Sequence, residues 1–89
     1  MKTSKSLIIG DLTFNYIFRS RPLLGLVVSR RYGNSVMRNL FKRRCRALFR
    51  SIILNSNNNI ALIIRPNNQN ISFIKINYAF EKLYEKIGS

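Results

Sequence analysis

The chain has 89 residues, 46% of them hydrophobic, which gives room for one core and is too apolar for intrinsic disorder. Sixteen Lys and Arg against three acids leave a net charge of +13, which points to nucleic acid, an anionic membrane or an acidic protein as partner. With no His, one Cys and only Asp11, Glu81 and Glu85 as carboxylates, a Ser–His triad, an acid/base pair or a zinc site is hard to assemble, so we expect no catalytic residue and no metal ligand in the protein.

From the N-terminus, Lys2 and Lys5 flank the apolar run Leu7-Ile8-Ile9, which Gly10-Asp11 stops. That run is too short for a signal peptide or a membrane span, and residues 1–10 read as a flexible N-terminus. The lone Cys45 cannot form an intramolecular disulfide, which fits a reducing compartment. A soluble, cytoplasmic chain that does not engage membranes is expected.

Leu12 to Phe18 alternates as a strand, with Leu12, Phe14, Tyr16 and Phe18 on one face. The two Phe suit a core, whereas Tyr16 suits exposure, because its hydroxyl wants a partner. Bases of a single strand stack on such rings at roughly 1–3 kcal/mol each. Arg19-Ser20-Arg21-Pro22 reads as a turn, and the continuous apolar run Leu23–Ser29 predicts a central strand buried on both faces.

Between Arg30 and Arg50 lie eight cations and no acid, and this segment reads as a helix. Gly33-Asn34 supplies a turn, and Asn34 or Ser35 a cap. Met37, Phe41, Cys45, Leu48 and Ile52 form an apolar stripe, with Leu40 beside it. Arg38, Asn39, Lys42, Arg43, Arg46 and Arg50 fall opposite, while Arg44 projects near the apolar edge and must snorkel. The row Arg38, Lys42, Arg46, Arg50 places like charges four apart, each pair costing a few tenths of a kcal/mol. A solvated basic face and a membrane-surface helix are alternatives. An anionic partner that neutralises the row explains it better, and the preference for Arg favours phosphate and base recognition. Cys45 on the apolar stripe reads as an inert, packed thiol.

Asn55 to Asn59 is a polar loop, Ile60–Ile64 a short strand closed by Arg65-Pro66, and Asn67 to Asn70 another loop. A second amphipathic helix starts near Ser72, with Phe73, Ile76, Phe80, Leu83 and Ile87 apolar and Gly88 at its C′ position. The order strand, strand, helix, strand, helix contains a βαβ unit and predicts a small α+β two-layer sandwich, one RNA-binding domain over residues 1–89.

The segment Gly25–Arg46, GLVVSRRYGNSVMRNLFKRRCR, resembles the bacterial ribonuclease P protein subunit. That family carries G-L-V-V-S-[KR]-[KR] and then G-N-[AS]-V-x-R-N-R-x-K-R-x-x-R-E. Ser29, Arg30, Arg31, Gly33, Asn34, Val36, Arg38, Asn39, Lys42, Arg43 and Arg46 match, while Leu40 stands for the second Arg of R-N-R and Ala47 for the Glu. Family members begin with a Phe-bearing helix that walls a cleft. About ten residues precede the first strand predicted here, so the resemblance implies a shallower cleft or one built by another partner.

The resemblance also implies a fold like ribosomal protein S5 domain 2, with a left-handed crossover where the general rule gives about 98% right-handed. It implies a ribonucleoprotein endonuclease that removes the 5′ leader of precursor tRNA, in which the RNA subunit is the catalyst and uses Mg²⁺. One monomeric protein per RNA is expected. The contacts to the catalytic RNA carry over to Arg30, Arg31, Asn34, Arg38, Asn39, Lys42, Arg43 and Arg46. The cleft, floored by the sheet, carries the leader to Phe14, Tyr16 and Phe18. The runner-up reading is a ribosomal or general RNA-binding protein with no role in cleavage.

Overall fold

The computed structural model describes residues 5–56 and 59–88. Its sheet is formed by β1 (Lys5–Ile9), β2 (Leu12–Phe18), β3 (Leu23–Leu26) and β4 (Ile60–Pro66), in the order β1-β2-β4-β3. Helices α1 (Ser35–Leu48) and α2 (Phe73–Gly88) complete the α+β fold. β3 and β4 pair in parallel, so β3–α1–β4 is the βαβ unit that the element order predicts, and β2 pairs antiparallel with both β1 and β4.

The strand β1 corrects, for Lys5–Ile9, the reading of residues 1–10 as flexible. Ile9 pairs with Leu12 across Gly10-Asp11, and Gly10 takes φ 58, a left-handed conformation open to glycine. A positive φ at the first central residue of a two-residue loop matches the twist of the hairpin it closes. Residues 1–4 lie outside the described residues, as do Asn57 and Asn58 of the predicted polar loop.

Alternation along the strands divides the sheet into two faces. Leu12, Phe14 and Tyr16 lie in the core against the helices, with Ile64 opposite Phe14, Leu62 opposite Tyr16 and Ile60 farther along the same face of β4. Phe14 meets Phe80 of α2 edge to face at 5.5 Å between ring centroids. Thr13, Asn15 and Ile17 face away, aligned with Arg65, Ile63 and Ala61, and no helix covers this second face among the described residues. The segment after Pro22 departs from its expected place: β3 is an edge strand, and Leu23 and Val27 stay exposed on the uncovered face.

Of the two candidate caps, Asn34 takes the role at the start of α1, its Oδ1 accepting the Met37 N–H at 2.9 Å. Phe41, Cys45 and Leu48 of the apolar stripe are buried, with Met37 and Ile52 partly so. After Leu48 the helix widens into a π turn, Phe49–Ile53, which shifts the phase and buries Phe49 and Ile53, two residues off the predicted stripe. In α2, Ile76, Phe80, Leu83 and Ile87 are buried, while Phe73 is nearly half exposed.

Candidate nucleic-acid interface

The cations that the sequence singles out come from two consecutive elements. Arg30 and Arg31 sit in a single 3-10 turn, Arg30–Tyr32, and are exposed. Gly33 follows at φ 156, ψ −166, a region essentially confined to glycine, and turns the chain into α1. A Cβ there would lie 2.9 Å from Met37 Sδ. The turn is pinned from below by Tyr32, whose buried ring lies 5.0 Å from that of Phe41 and whose hydroxyl oxygen accepts the Ile71 N–H at 3.2 Å. Burial raises the Tyr32 pKa, and the Ile71 bond opposes that shift.

On α1, Asn39, Arg43 and Arg46 are exposed and line a shallow hollow with Ala47 and Arg50. Arg38 and Lys42 are half-buried on the flank. Asn34 is exposed, but its side-chain oxygen is engaged in the cap. No acid lies in the first turn, and none of the α1 cations has an ion pair among the described residues. Arg44 behaves as the spacing predicts: it is half-buried and lays its guanidinium 5.6 Å over the Phe73 ring. Cys45 is fully buried, and burial pushes its thiol up to about 12.

The aromatic residues expected to hold a leader do not form one surface. Phe14 is 0% and Tyr16 6% exposed, because their strand face is the one the helices cover, so neither is open to a stacked base. On that covered side the Tyr16 ring packs edge to face against Phe18, at 6.0 Å. Phe18, at the strand end, is 58% exposed but has the parity of the helical side.

The uncovered sheet face holds a site that the sequence reading missed. A cavity of about 510 Å³ opens where β3 and β4 end, lined by Val27, Ser29, Arg31, Tyr32, Arg65, Pro66 and the loop Asn67–Gln69. Hydrogen bonds fix that loop to the first hairpin: Thr13 Oγ1 donates to Asn67 Oδ1 at 3.0 Å and Asn68 Nδ2 to Asp11 Oδ1 at 3.1 Å. The available signal was the alternation Ala61, Ile63, Arg65, which puts one arginine on the face opposite the core.

Among the described residues no three His, Cys, Asp or Glu side chains gather to hold a metal ion. Asp11 pairs with Lys75 at 3.6 Å and Glu85 with Lys82 at 3.7 Å, while Glu81 accepts from Asn77 at 3.5 Å. No described helix is long and apolar enough to cross a membrane.

Comparison with solved structures finds the same fold in the ribonuclease P protein of Thermotoga maritima, with a TM-score of 0.76 and 21% identity over 93% of this chain and 83% of that one. A second structure of that protein, in complex with 1-(4-fluorophenyl)-2-thiourea, gives a TM-score of 0.75 at 21% identity, covering 93% and 85% of the two chains. The ribonuclease P protein of Staphylococcus aureus gives 0.76 at 22% identity, covering 97% and 82%. No individually curated protein matches the sequence. The family model for ribonuclease P matches residues 3–88, nearly the whole chain, and with the strand–turn–helix geometry above it places this chain in the bacterial ribonuclease P protein family.

Proposed function

We propose that this subunit of ribonuclease P, the endoribonuclease of tRNA 5′ maturation, binds RNA on two adjoining surfaces. One is the basic face of α1 with the turn before it: Arg30, Arg31, Arg38, Asn39, Lys42, Arg43 and Arg46, with Asn34 holding the helix start. It meets the phosphates of the catalytic RNA. The observation that carries this assignment is the absence of any protein counter-charge for the α1 cations among the described residues. An anion from outside the chain is needed to offset their repulsion.

The second surface is the uncovered sheet face, which takes the single-stranded leader of precursor tRNA. Thr13, Asn15 and Ile17 replace Phe14 and Tyr16 as its floor, because they are the β2 residues that face out. The cavity between Arg31 and Arg65 continues this floor to the turn before α1, where the two surfaces adjoin. Phe18 lies on the other side of β2 and plays no part in this path.

The chemistry belongs to the RNA subunit with Mg²⁺; the protein's side chains supply binding and orientation. The three carboxylates are engaged with Lys75, Lys82 and Asn77 and are not gathered for metal or base work. One protein monomer serves one RNA in the cytoplasm. The test is direct. RNA-free protein leaves precursor tRNA intact, and adding ribonuclease P RNA and Mg²⁺ restores 5′ cleavage. Arg65→Ala weakens holoenzyme binding of precursor tRNA and leaves mature tRNA binding near wild type. Cleavage by rigorously RNA-free protein overturns the division of labour, and equal losses for both substrates overturn the leader path.

A further inference from the structure

Between α1 and the start of α2 lies a notch of about 200 Å³ that neither the basic face nor the leader path uses. Its floor is apolar, made by Met37, Leu40 and Ile71. Arg44 forms one wall, its planar guanidinium held over the Phe73 ring at 5.6 Å. Asn70 stands on the rim at φ 51, and its carboxamide has no hydrogen-bond partner within the described residues. The notch lies one residue to the side of the proposed phosphate row: Leu40 follows Asn39, and Arg44 follows Arg43.

We infer that this notch receives one unpaired nucleobase of the ribonuclease P RNA. The inference rests on the proposal that α1 faces that RNA. A phosphate is a poor occupant, because a single cation stands over a greasy floor. An unstacked base needs an apolar surface, a planar cation or aromatic ring to stack on, and a polar edge that can both donate and accept. Leu40, Arg44 on Phe73, and Asn70 supply those three in one hollow. Leu40 is the departure from the R-N-R signature, and its consequence is local. At this position α1 offers the RNA a stacking surface in place of a charge.

The experiment measures affinity of wild-type protein, Leu40→Ala, Arg44→Lys and Arg46→Ala for in-vitro-transcribed ribonuclease P RNA across a salt series. It is combined with chemical probing of the Watson–Crick edges of unpaired bases. Arg44→Lys keeps the charge and removes the plane; thermal melting checks that Leu40→Ala is folded, and Arg44→Lys decides alone if it is not. Expected is a loss of about fivefold or more for both variants, the lower end of one stacked base, at the wild-type salt slope. One base protected by wild-type protein becomes reactive with either variant. Wild-type affinity and unchanged base reactivity in both variants overturn the notch. The control separates the two claims. If Arg46→Ala makes the slope shallower while the notch variants are silent, the notch alone fails. If Arg46→Ala leaves the slope unchanged, the basic-face proposal fails with it.

Discussion

Neighbouring residues on β2 answer for opposite things, and substitution separates them. Phe14 is fully buried against Phe80, and Tyr16 is only 6% exposed. Truncating a large buried aromatic to Ala costs about 3–5 kcal/mol. Phe14→Ala belongs at the upper end, since it loses an edge-to-face partner inside the core as well as its own volume. Tyr16→Ala belongs at the lower end, because its aromatic neighbour, Phe18, is itself exposed. A domain of this size holds roughly 4–13 kcal/mol in total. At about 4–8 °C per kcal/mol, Tyr16→Ala lowers the melting temperature by roughly 12–24 °C, and Phe14→Ala approaches loss of the fold. Asn15→Ala, one residue between them on the uncovered face, stays within about 1 kcal/mol. Circular dichroism melts of the three variants, beside binding of precursor and mature tRNA by the reconstituted holoenzyme, give the comparison. A Tyr16→Ala protein that melts within a few degrees of wild type while losing only leader-dependent binding refutes the assignment of faces.

Three further outcomes follow from the geometry. With about six phosphates neutralised, log K for the catalytic RNA falls with log[salt] at a slope of about −4 to −5, and Arg46→Ala makes it shallower by about 0.7–0.9; a slope near zero removes the basis for the α1 face. Gly33→Ala forces a side chain into a glycine-only conformation and against Met37, costing about 1–3 kcal/mol, which a denaturant titration reads as a lower midpoint at unchanged m-value. The Cys45 thiol is raised from 9.0 to about 12 by burial, so the folded state holds its proton more tightly than the unfolded state. Stability therefore falls as pH rises from about 9 towards 12, by at most about 1.4 kcal/mol per pH unit, and Cys45→Ala flattens that part of the pH profile.

The helical parts of this fold were the most legible in the sequence. Cap, stripe and basic face of α1 follow from spacing alone, because a helix with one covered side must repeat near 3.6 residues. The reading lost phase only at Phe49, where the π turn inserts a residue per turn and no composition signal marks it. Strands gave less. The period of two separates Phe14 and Tyr16 from Asn15 and Ile17 but does not say which set the helices cover, and an aromatic row suits a core and a stacking platform equally well. The run Leu23–Ser29 reads as buried on both sides because Leu23 and Val27 are apolar; they stay exposed because the sheet carries helices on one face only. The β1 hairpin is encoded by Leu7-Ile8-Ile9, Gly10-Asp11 and Leu12, but a three-residue apolar run after two lysines resembles the start of a targeting segment as much as a strand.

Placement of charge links the fold to its work. All three acids lie away from α1: Asp11 in the first hairpin, paired with Lys75, and Glu81 and Glu85 on α2, where Glu85 pairs with Lys82 and Glu81 accepts from Asn77. Any one of them moved to α1, four residues from an arginine, would stabilise the free protein by a few tenths of a kcal/mol. The same exchange would remove a phosphate contact's worth of attraction and add a repulsion at the RNA surface. The helix instead draws its stability from below, through the Asn34 cap and from Phe41, Cys45 and Leu48 in the core. That burial is several times larger than the cost of the unbalanced row, at about 1.5–3 kcal/mol for each large apolar side chain. A neutral, dry underside is what lets the exposed face remain wholly cationic. It is also why Cys45 serves as packing, with its thiol held protonated, while the cations proposed to meet RNA stand on the opposite side of the same helix.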